Sequence, residues 1–297
     1  MLEKLTLHNM DSFRKIYYKN FQEINYNKDF FKSYENQNFL IKFLYRKFIR
    51  LIKVNDKYVG YIWYEGTSSK YTKVWALFVD FKYMGLLKKS ILSYFDNYIL
   101  SYEALDTLQN SLILEALGFE KKKYTLLLKL NINTYEDKKE EYLKEAIFKL
   151  RIKEHINFYT RKMVNGKDET LRCDIQNDIF EQWNRLPLTT EDIYADMAQD
   201  YYINDLCIFA ILNNEYIGYG QIIYNRSMFT IVNFGITSKY RGLGLGKVFL
   251  NDIIKYAKDY GIDDLYIRVD SSNVKAINLY RKIGFRDENK ILIWERE

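Results

Sequence analysis

Proline occurs once in these 297 residues, and cysteine and histidine only twice each. Cys173 and Cys207 lie in dissimilar surroundings, which argues against a disulfide framework and for a reduced compartment, the cytoplasm. With His8 and His155 alone, a His-rich metal site has too few imidazoles, and no metal is expected. No stretch approaches the roughly 18–20 consecutive apolar residues of a membrane span. The opening MLEKLTLHNMD lacks the apolar core of a secretion signal. Membrane and secreted classes are therefore set aside. Apolar residues at 48% and charged ones at 28% lie in the globular range, which excludes a disordered chain or a fibre.

What is abundant is tyrosine, at 28 residues, in a chain also rich in Lys, Ile and Asn. Compositional drift explains this without base stacking, and nucleic acid is not expected as a partner. The net charge of +6 is uneven. Residues 1–130 hold 21 Lys and Arg against 13 Asp and Glu, whereas residues 165–297 hold 16 against 20. Opposite charge on the two halves can dock one domain on the other, or the basic half can meet an anionic partner. The sequence leaves both open.

Taken in order, Leu2–Leu7 reads as a strand, and a helix capped by Asn9 or Asp11 runs from Ser12 to about Asn20. Phe30–Phe43 reads as a second helix and Phe48–Val54 as a strand. A hairpin turn at Asn55-Asp56 leads into the strand Tyr58–Tyr64. Lys73–Asp80 is expected as a strand, Leu86–Leu100 as a helix, Leu112–Leu117 as the end of another, and Tyr124–Leu130 as a strand. The back half repeats this order. LIKVNDKYVGYIWY at 51–64 matches FAILNNEYIGYGQI at 209–222, placing Asn55, Tyr58, Gly60 and Tyr61 on Asn213, Tyr216, Gly218 and Tyr219. KYMGL at 82–86 falls on KYRGL at 239–243, and Leu117-Gly-Phe119 on Ile283-Gly-Phe285.

Two similar α/β domains in tandem follow, with expected boundaries at 1–130 and 165–297 and a polar helical connector at 131–164 reaching about Met163. The opening strand of the second copy reads as Thr170–Cys173, with Asp174 before a helix through Trp183. Phe148–Lys153 is the alternative. Pro187 marks a break, and Thr190 starts a new helix with Asp192 in its first turn.

The most informative stretch is FGITSKYRGLGLGK at 234–247. A β-rich run, 229–236, enters a turn where Gly242, Gly244 and Gly246 alternate with Leu243 and Leu245. An amphipathic helix carrying Val248, Phe249, Ile253, Ile254 and Ala257 follows at once. Glycines let backbone N–H groups approach a ligand, and the orphan N–H groups of a helix start point at the same place. This is an anion cradle in outline. Arg241, Gly244 and Gly246, with Asn273…Ala276…Leu279-Tyr280 and the ending Ile283-Gly-Phe285, resemble the GNAT superfamily of acyl-CoA-dependent N-acyltransferases, whose loop runs Arg/Gln-x-x-Gly-x-Gly/Ala.

The resemblance implies the mixed-sheet α/β fold of that superfamily, acetyl-CoA as co-substrate and a small-molecule or peptide amine as acceptor. It implies that Phe234, Gly235 and Ile236 offer main-chain groups to the pantetheine arm, with Gly235 easing a bulge that splays two strands. The backbone of Arg241, Gly242, Leu243, Gly244, Leu245, Gly246 and Lys247 would hold the pyrophosphate, Arg241 and Lys247 adding charge. Ser238 stands where the family often has proline. Tyr280 matches the tyrosine that faces the thioester, able to protonate the departing thiolate. Asn273 matches an asparagine bonding the cofactor arm, or caps a helix.

In the front copy, Met84, Leu87 and Lys89 stand at the places of Arg241, Gly244 and Gly246, and Leu114 at that of Tyr280. That copy reads as degenerate. The general base is left open among Asp270, Glu215 and a relayed water, because the strand entering the cradle carries Thr230 and Asn233 and no acid. The leading expectation is an N-acetyltransferase acting by direct amine attack. A non-catalytic acyl-CoA-binding or sensing module and a nucleic-acid-associated protein are its rivals.

Overall fold

The computed structural model describes residues 1–21, 28–66, 70–151, 156–181 and 185–297. The chain forms two compact units, Met1–Leu126 with Asn289–Glu297, and Leu127–Glu288. This division differs from the expected one in two places. The stretch 131–164 belongs to the second unit as a whole, and the last nine residues belong to the first. Among the described residues no helix is long and apolar enough to cross a membrane.

The first unit opens with strand β1 (Leu2–Lys4) and helices α1 (Met10–Asn20), α2 (Phe30–Tyr34) and α3 (Phe39–Lys47). Strands β2 (Ile49–Val54), β3 (Lys57–Tyr64), β4 (Tyr71–Val79) and β5 (Ile99–Leu105) follow, then helix α4 (Leu108–Ala116) and strand β6 (Glu120–Asn131), which crosses into the second unit. Asn38 breaks the single helix expected over Phe30–Phe43, because its side chain caps α3 by accepting from Ile41 N–H. Successive residues of β3 face opposite layers, as a pleat requires. Tyr61 and Trp63 meet Phe13, Phe30 and Phe31, whereas Ile62 and Tyr64 meet Leu92, Phe95 and Leu100.

The strand order of this unit is β1-β2-β3-β4-β5-β12, where β12 is Arg286–Arg296 at the far end of the sequence. Ile291–Arg296 pairs antiparallel with Leu100–Leu105, setting Trp294 opposite Tyr102. Trp294 is fully buried in the same cluster as Phe95 and Leu117. Trp294→Ala should therefore destabilise the first unit by about 3–5 kcal/mol. Hydrogen exchange should show β2–β5 losing protection while the second unit keeps its own.

The helix expected over Leu86–Leu100 is instead two short 3-10 turns, Phe81–Leu86 and Lys89–Phe95, before β5. Leu87 and Lys88 between them are extended, which breaks any continuous helix. The second turn is itself kinked at Leu92 (φ −96°, ψ 19°), and Leu92 and Phe95 are both buried.

In the second unit, helix α5 (Lys139–Leu150) precedes strand β7 (Phe158–Lys162), helix α6 (Glu169–Ile179) and helix α7 (Thr190–Met197). Strands β8 (Cys207–Leu212), β9 (Glu215–Asn225) and β10 (Met228–Ile236) come next. Helix α8 (Leu245–Asp259), strand β11 (Asp264–Asp270) and helix α9 (Val274–Ile283) complete it. The order is β6-β11-β10-β9-β8-β7. Helix α8 covers one face, and α6 and α7 bury Ile175, Ile179 and Ile193 against Phe209 and Tyr219 on the other.

The first strand expected at Thr170–Cys173 is helical, being part of α6, and the first strand is Phe158–Lys162. Phe148 and Leu150 of the alternative are in α5, and residues 152 and 153 lie outside the described residues, as does Trp183. Nor does the connector stay helical to Met163. Strand β7 is held at its end by the Arg161 guanidinium, which donates to both carboxylate oxygens of Asp168 at 2.6 and 3.0 Å. The predicted start at Thr190 holds: Thr189 and Asp192 form a capping box.

The repeated motifs have repeated causes. Asn55-Asp56 and Asn213-Asn214 all have positive φ (46°, 59°, 49° and 67°), the left-handed pair of a two-residue hairpin turn. The matched glycines sit at matched register shifts, Gly60 opposite Ile52 and Gly218 opposite Ala210. A Cβ would lie 2.2 Å from the Phe78 carbonyl oxygen at Gly60, and 2.7 Å from that of Gly235 at Gly218.

Candidate active site

Strand β10 runs parallel to β11 only from Phe229↔Leu265 to Ile231↔Ile267. Past that point β10 continues to Ile236 and β11 to Asp270 without pairing. The β11-facing edge of Val232–Ile236 is thus free of a strand partner. Opposite, the register with β9 shifts between Val232↔Gln221 and Gly235↔Tyr219, so two residues stand against Gly220. This is the bulge expected at the strand opening.

The residue that makes the bulge is Asn233, whose φ is 54°. Gly235 serves a different purpose, because a Cβ there would lie 2.2 Å from Ile179 Cγ2 at the end of α6. Gly235→Ala should cost about 1–3 kcal/mol by overpacking, and adding Ile179→Ala should return part of that loss. Denaturant midpoints of both single variants and the double variant measure the coupling.

After Ile236 the chain makes a short turn, Ser238–Tyr240, and reaches the glycines. Gly242 (φ 78°) and Gly244 (φ 88°) adopt the left-handed conformation, and Gly244 is the N-cap of α8. Leu245 is fully buried and anchors the first turn. Gly246 already lies in the helix; a Cβ there would be in ordinary contact with Leu279 Cδ2 at 3.7 Å. At the start of α8 the Lys247 N–H is taken by the Gly244 carbonyl at 3.0 Å, while the N–H groups of Leu245 and Gly246 come before the helical ladder begins and lie at the positive dipole end.

The Arg241 guanidinium, expected as a phosphate-facing charge, donates to backbone carbonyls instead. Nε bonds Ile236 O at 3.1 Å, and Nη2 bonds Asp178 O and Ile179 O at 3.1 and 2.6 Å. It clamps the C-terminus of α6 to the loop. Ser238, expected to leave the turn less rigid than a proline would, anchors it instead, its N–H and hydroxyl donating to the Asp178 carboxylate at 2.5 and 3.0 Å. Lys247 is the cation at the cradle, and Glu145 of α5 receives its ammonium at 2.5 Å.

Across the opening, the ring centroids of Phe234 and Tyr280 are 6.3 Å apart. Tyr280 is buried on α9, and burial pushes its phenol up to about 12, so it stays protonated and a donor at neutral pH. Asn273 caps α9, accepting from Ala276 N–H at 3.1 Å, and is exposed. Two acids considered as bases are tied into turns. Glu215 accepts from Lys239 Nζ and the Tyr240 hydroxyl, and Asp270 from the N–H and hydroxyl of Ser272.

One group escaped sequence reasoning. Arg172, 1% exposed, donates to Asp196 at 2.5 Å and to Gln221 Oε1 at 3.2 Å, and the bulge residue Asn233 donates to Gln221 Oε1 at 3.4 Å. This network ties α6, α7, β9 and the bulge together. Its one local signal is Gln221, a polar residue in the apolar run of β9.

A left-handed glycine turn at a helix start, a stretch of β10 unpaired with β11 and a buried phenol thus lie in one unit. The acetyltransferase (GNAT) family model matches residues 171–285, a span that contains every candidate residue named above. The [ribosomal protein bS18]-alanine N-acetyltransferase of Haemophilus influenzae is 30% identical over 119 residues, covering 39% of this chain and 77% of that one. The chain belongs to the GNAT acetyltransferase family. A mycothiol acetyltransferase of Arthrobacter is 27% identical over 143 residues, covering 43% of this chain, which spans only 42% of that relative's length. A GCN5-related N-acetyltransferase structure from Sphaerobacter thermophilus superposes with a TM-score of 0.70 at 13% identity, covering all of this chain and 95% of that one. The match to the family model falls within the second unit. In the first, Leu87 is extended and Lys89 opens a 3-10 segment, neither place has a positive-φ glycine, and Leu114 is a core residue of α4.

Proposed function

We propose that this GNAT protein is an N-acetyltransferase whose second unit binds acetyl-CoA and passes the acetyl group to a primary amine by direct attack. The observation that carries the reading is the pair of left-handed glycines, Gly242 and Gly244, at the start of α8, beside the unpaired edge of Val232–Ile236. A cradle of bare backbone there fits a pyrophosphate.

The bound co-substrate supplies an acyl carbonyl activated as a thioester. The chain's own residues do the rest. Backbone N–H groups from Gly242 to Gly246 hold the phosphates, with the Lys247 ammonium beside them, and the free edge at Phe234, Gly235 and Ile236 aligns the arm. Main-chain donors at the bulge polarise the carbonyl, and they need no reorganisation because the clamp of Arg241 and the Arg172 network fix them. Tyr280 holds the proton that the departing sulfur takes. The relative named for a ribosomal-protein alanine puts peptide amines beside small amines as acceptors to try. Calorimetry with acetyl-CoA, then thiol release across a panel of amines and peptides, tests the reading. Absence of acetyl-CoA binding would overturn it.

A second reading is an acyl-CoA-binding module without catalysis. It is favoured by one observation: β10 carries no acid, and both Glu215 and Asp270 are engaged in turns. Binding of acetyl-CoA with no thiol release on any amine would select it.

A further inference from the structure

Helix α5 lies along α8 and reaches the glycine loop. The two run antiparallel. Near the start of α5, Lys139 Nζ bonds Asp252 at 2.8 Å, and Lys138 N–H bonds Asn251 Oδ1 at 3.2 Å. Two turns later Glu145 meets Lys247 in the first turn of α8. Ala146, fully buried, is the neighbour that a Cβ on Gly244 would meet, at 3.6–3.8 Å. The Lys247 ammonium also sits 5.3 Å from the Tyr142 ring centroid. Tyr142, Glu145 and Ala146, at i, i+3 and i+4, form one face of α5 turned to the loop.

A carboxylate thus holds the ammonium of Lys247, the cation proposed to meet the cofactor's phosphates. Lys247, by its hydrogen bond, and then the nearby Lys149 and Lys282 hold Glu145 below its ordinary range, so it is ionised at neutral pH. A bound pyrophosphate would compete for the Lys247 ammonium and would face a like charge within a Debye length.

We infer that α5 is a third wall of the cofactor cradle and that Glu145 is an internal competitor for Lys247, setting how tightly the phosphate-bearing co-substrate is held. This rests on the acetyl-CoA reading given above. The geometry makes Glu145 a determinant of affinity for phosphate charge, with no role in the acyl transfer itself.

The test is Glu145→Gln in the full chain, titrated calorimetrically with acetyl-CoA and with acetylpantetheine, which carries no phosphate. The variant should bind acetyl-CoA roughly two- to fivefold more tightly, the range that one partly exposed charge pair commands. Acetylpantetheine affinity should not change, and the gain should shrink as salt rises. Lys247→Gln should weaken acetyl-CoA binding in the same assay. Unchanged or weaker acetyl-CoA binding by the Glu145 variant overturns the inference and leaves the cradle standing. If neither wild type nor variant binds acetyl-CoA, the cofactor reading itself is overturned. Both residues of the pair are partly exposed, at 17% and 41%, so the variant should stay folded, which a thermal midpoint checks.

Discussion

Gly244→Asp combined with Gly246→Asp should abolish measurable acetyl-CoA binding, a loss of at least about a hundredfold in affinity, roughly 3 kcal/mol. Two effects add. Each carboxylate puts negative charge at the helix N-terminus that would otherwise attract a phosphate. Each side chain also fills space that the cradle needs as bare backbone. The single alanine variants separate these effects. Gly246→Ala should bind nearly as wild type, because its Cβ would make only ordinary contacts with Leu279 and Ile236 at 3.7 and 3.9 Å. Gly244→Ala should cost about 1–2 kcal/mol, since φ is 88° there and a Cβ is strained whatever the space around it. The order wild type, Gly246→Ala, Gly244→Ala, double aspartate is the expected ranking of affinities. Equal affinity in the double aspartate variant would remove the cradle from the mechanism.

That ranking is visible in the sequence only in part, and the reason is physical. The glycine spacing and the helix behind it are local, so the cradle was legible from FGITSKYRGLGLGK. The hairpins at Asn55-Asp56 and Asn213-Asn214 and the capping box at Thr189 were legible for the same reason: each is closed within a few residues. Strand β7 was not. Its sequence, FYTRK, has no apolar alternation, because one polar edge strand buries little more than Phe158. Nor were the 3-10 turns of the first unit, where apolar spacing imitates a helix and the extended Leu87-Lys88 pair interrupts it.

Long-range closure was the larger gap. The last nine residues belong to the first unit, and no local pattern announces that Trp294 will pack among Leu92, Phe95 and Leu117. The contact between Glu145 and Lys247 spans 102 positions of sequence, and that between Arg172 and Gln221 spans 49. Both bear on the candidate site. Arg241 shows the opposite lesson. Its residue type suggested a phosphate ligand, but three carbonyls, two of them at the end of α6, offer its fork a fixed and partly buried set of acceptors. A motif position names a residue, and its surroundings decide the role.

Tyr280→Phe should lower kcat for acetyl transfer about a hundredfold and leave acetyl-CoA affinity within about twofold. Phe keeps the ring contacts with Phe234 and Phe285 at 6.3 and 6.1 Å, so the packing of α9 on the opening survives. Only the hydroxyl is lost, and among the described residues it has no hydrogen-bond partner that would be left unpaired. An effect confined to kcat then reports a group used in the transition state and not in binding. The pH profile gives a second readout. Burial raises the phenol to about 12, so the donor form is complete from acid to mildly alkaline pH. Wild-type kcat should show no alkaline limb from this residue below about pH 11, and the variant should be slow at every pH with the same profile shape. A limb near the ordinary tyrosine value, or full turnover in the variant, would take the proton donor elsewhere. Acyl donors built on a more acidic thiol sharpen the test: the less the departing sulfur needs a proton, the smaller the penalty of the variant should be.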